Sequence, residues 1–300
     1  MFAQILQQLP QQLLNGIVLG STYALFALGF TLMFGVLGVI NLTYGFYFST
    51  GAFVALYATQ YLHMPIFVAL PFAAVVTGLI AIVIDDLLLG PLRRAKAPEL
   101  SSLMVTLGAT LLLYSLMTAW FTTDIRRFPP AVFNGGAFEI EGLRITLSQI
   151  LIVVTVAIIV GGLAFLLQRT KLGLAIRALA ENGDTAQLMG VNAGGIVRLV
   201  SFISGALGGA AGVLIGLNYN AIQPYMGEMM MLKGFAVIIL GGLGDIRGAV
   251  LAGLILGILE TLTAGYFASS MKDAVGFLLL ILTLWLRPVG LFGRVVAKRA

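Results

Sequence analysis

Long apolar runs dominate the chain and alternate with short polar connections. A helix that crosses a bilayer needs about 20 apolar residues. The runs predict eight to ten membrane helices, with nine as the best count, at residues 13–39, 46–62, 66–89, 101–121, 150–167, 197–217, 229–243, 249–266 and 274–286. Because a backbone in lipid must satisfy its own hydrogen bonds, the pattern predicts an all-α polytopic membrane protein with one transmembrane domain over residues 1–300.

One of the longer polar connections, residues 122–149, carries a strand-like pattern. Its Asn134-Gly135 pair is typical of a tight turn, and apolar side chains alternate with polar ones at Phe138, Ile140, Leu143 and Ile145. Alternation with a period of two indicates a strand with one apolar face. We therefore predict a small β-hairpin in an external loop.

A second connection, residues 169–196, contains the largest polar segment, LGLAIRALAENGDTAQLMGVN at residues 172–192. Residues four apart lie on one face of a continuous helix. The segment is predicted to be a cytoplasmic helix with a face of short side chains that another protein can approach. The residues that we assign to this docking function are Arg177, Ala178, Glu181, Asn182, Ala186 and Gly190.

Basic residues predict the orientation of the chain. With nine spans, one side receives Arg93, Arg94, Lys96, Arg169, Lys171, Arg177, Arg247, Arg287, Arg294, Lys298 and Arg299. The positive-inside rule makes that side the cytoplasm, so the N-terminus is expected outside and the C-terminus inside. The net charge of +5 then follows from topology, and no nucleic-acid binding is indicated.

Composition agrees with this class of protein. Of the 300 residues, 60% are hydrophobic and only 10% are charged, and the mean hydropathy is +1.05, whereas soluble domains have about 25% charged residues. The chain has no cysteine, which excludes disulfides and thiolate chemistry. The N-terminus has no basic region before its apolar run, so we expect the first span to be retained rather than cleaved as a signal peptide.

Candidate enzyme chemistry is scarce. The single histidine, His63, has no second histidine at metal-binding spacing. Gly241, Gly242 and Gly244 resemble a phosphate loop only loosely, because Asp245 follows them where a nucleotide site needs Lys and Ser or Thr. We predict that the chain is not an enzyme, does not hydrolyse ATP and needs no metal or cofactor.

The 37 glycines are spaced in a way that matters in lipid. Gly208, Gly212 and Gly216 recur every four residues, and small residues at this spacing let helix backbones approach closely. Tight packing and sliding during a change of state both remain open interpretations.

The carboxylate Glu260 lies well inside a span, where a hydrogen-bonded structural role and a pathway role are equal alternatives.

Two polar clusters interrupt the spans. Asn41, Thr43 and Tyr44 separate the first two, and Asn218, Tyr219 and Asn220 close the sixth. Amides at such helix ends can bind a carboxylate. We predict that both clusters, with Glu260, line a substrate pathway; the alternative is a simple loop.

Four ordered stretches carry a family resemblance. They are residues 15–53, NGIVLGSTYALFALGFTLMFGVLGVINLTYGFYFSTGAF; residues 91–113, PLRRAKAPELSSLMVTLGATLLL; the polar segment; and residues 223–260, QPYMGEMMMLKGFAVIILGGLGDIRGAVLAGLILGILE. They resemble the permease subunit of branched-chain amino acid ABC importers, the LivH type. The resemblance runs from the first span to the last.

This resemblance implies a bacterial inner-membrane permease that imports branched-chain or other apolar amino acids by alternating access. The implied partners are a second, LivM-like permease, two cytoplasmic ATPase subunits and an external substrate-binding protein, with the polar segment as the coupling loop seated in the ATPase. Many relatives carry His-Gly-Glu where this chain has Tyr44, Gly45 and Phe46, and often Ser and Pro in place of Asp245 and Arg247. The first departure puts the substrate in doubt.

Two alternatives remain. In one, the same machinery carries urea or short amides; in the other, the chain is a stand-alone ion-coupled carrier that needs no ATPase. Few ionisable groups lie inside the spans, which argues against ion coupling.

Overall fold

The computed structural model describes residues 2–95, 97–130, 136–140, 143–287 and 290–292, and these are mostly helical. The described helices are α1 Phe2–Leu37, α2 Tyr44–Tyr61, α3 Ile66–Ile84, α4 Gly90–Arg94, α5 Glu99–Phe121, α6 Leu147–Arg169, α7 Lys171–Glu181, α8 Gly183–Leu188, α9 Ala193–Tyr219, α10 Met226–Gly241, α11 Ile246–Tyr266 and α12 Lys272–Leu286. A π-helical turn, Asp85–Leu89, joins α3 to α4. A 3₁₀ turn, Ser269–Met271, precedes α12.

The all-α polytopic class is confirmed. Among the described residues, seven helical stretches are long and apolar enough to cross a membrane: Gln8–Leu37, Ile66–Arg94, Leu100–Phe121, Leu147–Arg169, Ala193–Tyr219, Ile246–Tyr266 and Ser269–Leu286. Helices α2 and α10 fall outside this set, since α10 has 16 residues and α2 is rich in Tyr and Thr. The count of nine spans is therefore not confirmed. Lys96, Arg294, Lys298 and Arg299 lie outside the described residues, and the orientation stays a prediction.

The predicted hairpin is present. Strand β1, Ala137–Ile140, pairs antiparallel with β2, Leu143–Thr146. Phe138 faces Ile145 and Ile140 faces Leu143 across the ladder, so the alternating apolar residues pair with one another, as cross-strand packing favours. The predicted Asn134-Gly135 turn lies outside the described residues, and because it precedes β1 it does not join the two strands, so that part of the prediction is wrong.

The chain forms two compact units, each assembled from separate stretches. Unit 1 contains residues 1–31, 135–156 and 232–300, and unit 2 contains residues 32–134 and 157–231. The prediction of one domain stays a prediction. Each unit is described below by its own contacts.

Glycine contacts hold the helices of unit 2 together. The backbones of α2 and α9 touch at Gly51 and Gly209, and a Cβ on Gly212 would overlap the carbonyl group of Phe48. A Cβ on Gly78 of α3 would lie 2.7 Å from the ring of Phe202. Close approach of this kind gains van der Waals contact where lipid removes the hydrophobic driving force.

In unit 1, α1 and α11 approach each other in the same way. A Cβ on Gly20 would lie 2.8 Å from Cα of Leu254, and a Cβ on Gly257 would overlap the backbone of Gly20. The small residues that recur every four positions in both helices therefore form a backbone-to-backbone contact.

Candidate functional site

The polar segment folds into two short helices rather than one. Thr170 caps α7 by accepting a hydrogen bond from the Gly173 amide at 3.0 Å, and Asn182 caps α8 by accepting from the Thr185 amide at 3.0 Å. Asn182 has an extended backbone, with φ −157° and ψ 105°. An Asn side chain that bonds the next turn's amide ends one helix and begins another.

This break corrects one prediction. Ala178, Asn182, Ala186 and Gly190 do not share one helical face, because Asn182 stands between α7 and α8 and Gly190 lies beyond α8 with φ +87°. Ala178 is half-buried, and Ala186 is buried. The exposed members of the predicted docking set are Arg177, Glu181, Asn182 and Gly190.

The segment exposes an apolar pair that sequence reasoning missed. Leu188, the last residue of α8, is 87% exposed, and Met189 after it is 82% exposed. Large apolar side chains exposed together on a polar segment are typical of surfaces that bind another protein. Their position just before Gly190 was a usable signal, since the sequence reads Leu-Met-Gly after a polar helix.

Both ends of the segment are joined firmly to long helices of unit 2. A Cβ on Gly173 would overlap the carbonyl groups of Leu166 and Leu167 in α6. At the other end, Asn192 caps α9 by accepting a hydrogen bond from the Gly195 amide at 3.1 Å. A displacement of the segment therefore acts on α6 and α9 without a flexible linker between them.

The first predicted pathway cluster forms a tight turn before α2. The Oδ1 atom of Asn41 accepts hydrogen bonds from the backbone amide of Thr43 at 2.9 Å and from its hydroxyl at 2.5 Å. Asn41, Thr43 and Tyr44 are all buried, and the Tyr44 ring packs against Gly208 of α9. The structure brings these three residues together, and their assignment to a pathway stays a prediction.

The second cluster ends α9. Asn220 has a left-handed backbone, with φ +45°, and its Oδ1 atom accepts a hydrogen bond from the Phe128 amide at 3.0 Å. Arg126 and Ile222 exchange two backbone hydrogen bonds of 2.8 Å beside it. These bonds fix the end of α9 to the stretch after α5. Asn218 is half-buried and Tyr219 is exposed.

Glu260 belongs to a buried ionic cluster in unit 1. The Lys233 ammonium group lies 2.8 Å from Glu260 Oε2, 2.9 Å from Asp273 Oδ1 and 3.0 Å from the Tyr23 hydroxyl. The Tyr23 hydroxyl in turn donates to Glu260 Oε2 at 2.7 Å. An ammonium group has three protons, and each has an oxygen atom here. The cluster joins α1, α10, α11 and α12, which favours the structural role for Glu260.

Sequence reasoning missed the partners of Glu260. Lys233 stands inside the apolar run at residues 229–243, and an isolated charge in such a run needs a partner of opposite sign. That rule pairs Lys233 with Glu260. Tyr23 and Asp273 carried no comparable signal.

Further charges pair at the far end of α3. Both terminal nitrogens of the Arg93 guanidinium group donate to the Asp85 carboxylate. The Nε atom of Arg198 in α9 lies 2.9 Å from Asp86 Oδ2. At the start of α11, Asp245 accepts a hydrogen bond from the Gly248 amide at 2.8 Å. Asp245 is thus an N-cap, a role that Ser also fills well, so the departure at this position keeps the cap of α11 and adds a negative charge.

Comparison with known proteins finds relatives of one family over nearly the whole chain. Residues 12–284 match the family described as "Branched-chain amino acid transport system / permease component". The chain is 36% identical to the high-affinity branched-chain amino acid transport system permease protein BraD of Pseudomonas aeruginosa, over 95% of each chain. It is 35% identical to the corresponding protein LivH of Escherichia coli K12, also over 95% of each.

A solved structure, PsaBC from Streptococcus pneumoniae in complex with Fab, has the same fold. It superposes with a TM-score of 0.55 over 96% of this chain and 97% of that chain, at 13% identity. The family match and the relatives at more than a third identity decide the assignment. This chain belongs to the family of permease components of branched-chain amino acid transport systems.

Proposed function

We propose that this chain is the permease subunit of an ATP-driven importer that moves branched-chain or other apolar amino acids into the cytoplasm. It works with a second, LivM-like permease, two cytoplasmic ATPase subunits and an external substrate-binding protein. It lies in the bacterial inner membrane with its C-terminus in the cytoplasm. Closure of the ATPase pair moves the polar segment, and the spans reorient by alternating access.

The observation that carries this proposal is the form of the polar segment. Leu188 and Met189 present an apolar surface to a partner, while Gly173 and Asn192 join the segment tightly to α6 and α9. A surface that binds a partner and is fixed to two long helices can transmit a push into the membrane.

The test is the double substitution Leu188→Ser, Met189→Ser in the complete importer, purified and reconstituted into vesicles. We expect ATP-dependent uptake and ATPase association to fall by about tenfold or more, because burying one large apolar side chain contributes about 1.5–3 kcal/mol. Membrane insertion should be unchanged, because both side chains are exposed.

Phe267→Ser is the matched control, since Phe267 is 83% exposed and lies outside the segment. Wild-type uptake by the double variant would contradict the docking assignment. Uptake driven by an ion gradient in vesicles that hold this chain alone would overturn the importer proposal. A bulky residue at Ala186 is a poorer test, because Ala186 is buried and its enlargement would displace α8 itself.

A further inference from the structure

A long cavity lies beside α2 in unit 2. It has a volume of about 510 Å³ and is lined by residues of α2, α3 and α5. Its lining residues on α2 recur at three- and four-residue spacing from Phe46 to Leu62, and those on α5 do so from Leu113 to Phe121. Residues at this spacing form one stripe along a helix. The cavity is therefore a groove between two helical stripes, and we call it the α2–α5 groove.

The dimensions of the α2–α5 groove limit what it can hold. The distance along the helix axis from Phe46 to Leu62 is about 24 Å. A helix of that length with a diameter of about 10 Å would occupy roughly 1,900 Å³, so a helix of another protein does not fit. A methylene group is close in size to a water molecule, roughly 30 Å³. The groove thus has room for about 17 methylene groups, which is one hydrocarbon chain.

The walls of the groove are apolar. None of its described lining residues is charged, and the Thr50 hydroxyl donates to the Phe46 carbonyl oxygen of its own helix at 2.8 Å. The Phe121 ring lies 4.9 Å from the Phe53 ring and 5.4 Å from the Tyr57 ring, so aromatic faces form much of the wall. A zwitterion in the groove would lose its hydration without gaining partners. The occupant is therefore a hydrocarbon.

The two ends of the groove differ. The contacts of Phe121 place Tyr61 and Trp120 at the same end, where they are 72% and 80% exposed. Exposed Trp and Tyr side chains are typical of the level of the lipid head groups. At the other end the Phe46 ring lies 6.0 Å from the ring of Tyr114, which is 3% exposed. The groove is thus open at head-group level and closed at its inner end.

The groove is also accessible from the side. Phe72 of α3 and Leu116 of α5 both line it and are both exposed, and the helical stretches that carry them are long and apolar enough to cross a membrane. The molecules around these helices are lipids. An unfilled groove leaves its walls without van der Waals partners, and a hydrocarbon chain supplies them.

We propose that the α2–α5 groove holds one acyl chain of a membrane phospholipid, whose head group lies at the end marked by Tyr61 and Trp120. This lipid fills the space between α2 and α5 and stays bound while the surrounding lipids exchange. The inference goes beyond the proposed function, because it depends neither on the transported solute nor on the ATPase.

The two tryptophans of the chain, Trp120 and Trp285, allow a direct test. Both are 80% exposed, but Trp120 lines the groove and Trp285 of α12 does not. Phosphatidylcholine with dibrominated acyl chains, which quench tryptophan on contact, is titrated into the purified full-length chain in detergent. The variant Trp285→Phe reports on Trp120, and Trp120→Phe reports on Trp285.

We expect quenching of Trp120 to saturate near one lipid per chain, at a lipid concentration at least about fivefold lower than that for Trp285, because a chain in the groove has contacts on several sides. Quenching of both tryptophans at the same lipid concentration would overturn the proposal. This comparison needs no change to the groove beyond the two reporter substitutions.

Filling the groove gives a second test. In the Trp285→Phe background, the double substitution Thr50→Phe, Val54→Phe places two rings in the groove, and Trp120 should then be quenched only at the concentration found for Trp285. Val154→Phe in α6 is the matched control, since Val154 is exposed and does not line the groove, and it should leave the quenching of Trp120 unchanged. Unchanged quenching in the filled variant would contradict the site.

Two further measurements distinguish other occupants. Leucine at millimolar concentration should leave the quenching of Trp120 unchanged; recovery of its fluorescence would assign the groove to the solute and overturn the proposal. Native mass spectrometry of the complete importer should find one retained phospholipid that the variant Thr50→Phe, Val54→Phe loses. A wild-type complex without that lipid would show that the partner permease covers the groove, which also overturns the proposal. Neither readout depends on uptake, so a failure of the importer function leaves this test intact.

Discussion

The two units hold their helices together in different ways. In unit 1, a single ammonium group, that of Lys233, contacts oxygen atoms on three other helices. In unit 2, glycines such as Gly51, Gly209 and Gly212 let backbones touch, and the ion pairs of Arg93 and Arg198 lie at the end of α3. Lipid supplies no hydrophobic driving force for either arrangement. The comparison teaches that glycine contacts join helices in both units, and that unit 1 adds one buried charge shared by four helices.

We expect the largest effect on the free energy of unfolding when the charge of Lys233 is removed from unit 1. Lys233→Met leaves the carboxylates of Glu260 and Asp273 without a cation, and breaking a buried pair in this way costs about 3–5 kcal/mol. The free energy of unfolding of the purified protein in detergent measures it. Lys272→Met removes a neighbouring lysine that forms no ion pair among the described residues, and it should have little effect. Equal losses for both variants would contradict the assigned role of Lys233.

A smaller loss is expected in unit 2. Gly212→Ala places a methyl group against the Phe48 carbonyl, and overpacking of this kind costs about 1–3 kcal/mol. Gly161→Ala in α6 is the matched control, because nothing among the described residues lies within 4 Å of its new Cβ. Alanine favours a helix over glycine by about 0.5–1 kcal/mol, so the control should gain stability. The unfolding free energies of the two variants should therefore move in opposite directions.

The smallest effect sharpens the description of unit 1. Tyr23→Phe removes the hydroxyl that contacts Glu260 and Lys233 but keeps the ring, whose centroid lies 5.2 Å from the Lys233 nitrogen. We expect a loss of about 1 kcal/mol, because the two hydrogen bonds of the hydroxyl are lost while the ion pair of Lys233 with Glu260 remains. Denaturant titration beside Tyr61→Phe, at an exposed tyrosine, measures it. A loss as large as that of Lys233→Met would assign the main energy to the tyrosine.

The features that the sequence could predict depend on local rules. Apolar length locates a membrane helix because each helix must satisfy the bilayer by itself. The hairpin was partly accessible, since the alternation from Phe138 to Ile145 indicated strands, but the Asn134-Gly135 pair precedes β1 and does not join them. The resemblance then supplied the family, which the comparisons confirm.

The features that the sequence could not predict depend on partners far apart in the chain or on competition between two local structures. The chain separates Tyr23 from Lys233 by 210 residues, and only the fold brings them together. The break at Asn182 was visible as an Asn-Gly pair, but helical spacing on both sides concealed it, and the capping bond to Thr185 decided the outcome.

The π-helical turn Asp85–Leu89 has a consequence for the charge pair beside it. In a regular α-helix, residues eight apart lie about 80° from each other around the axis. A π-turn contains one extra residue. Arg93 therefore lies on the same side of the helix as Asp85 and donates hydrogen bonds to both of its carboxylate oxygens. An extra residue would normally rotate the rest of a helix, but here it is accommodated within one turn. The same turn places the counterion Arg93 beside Asp85, which would otherwise be buried without one.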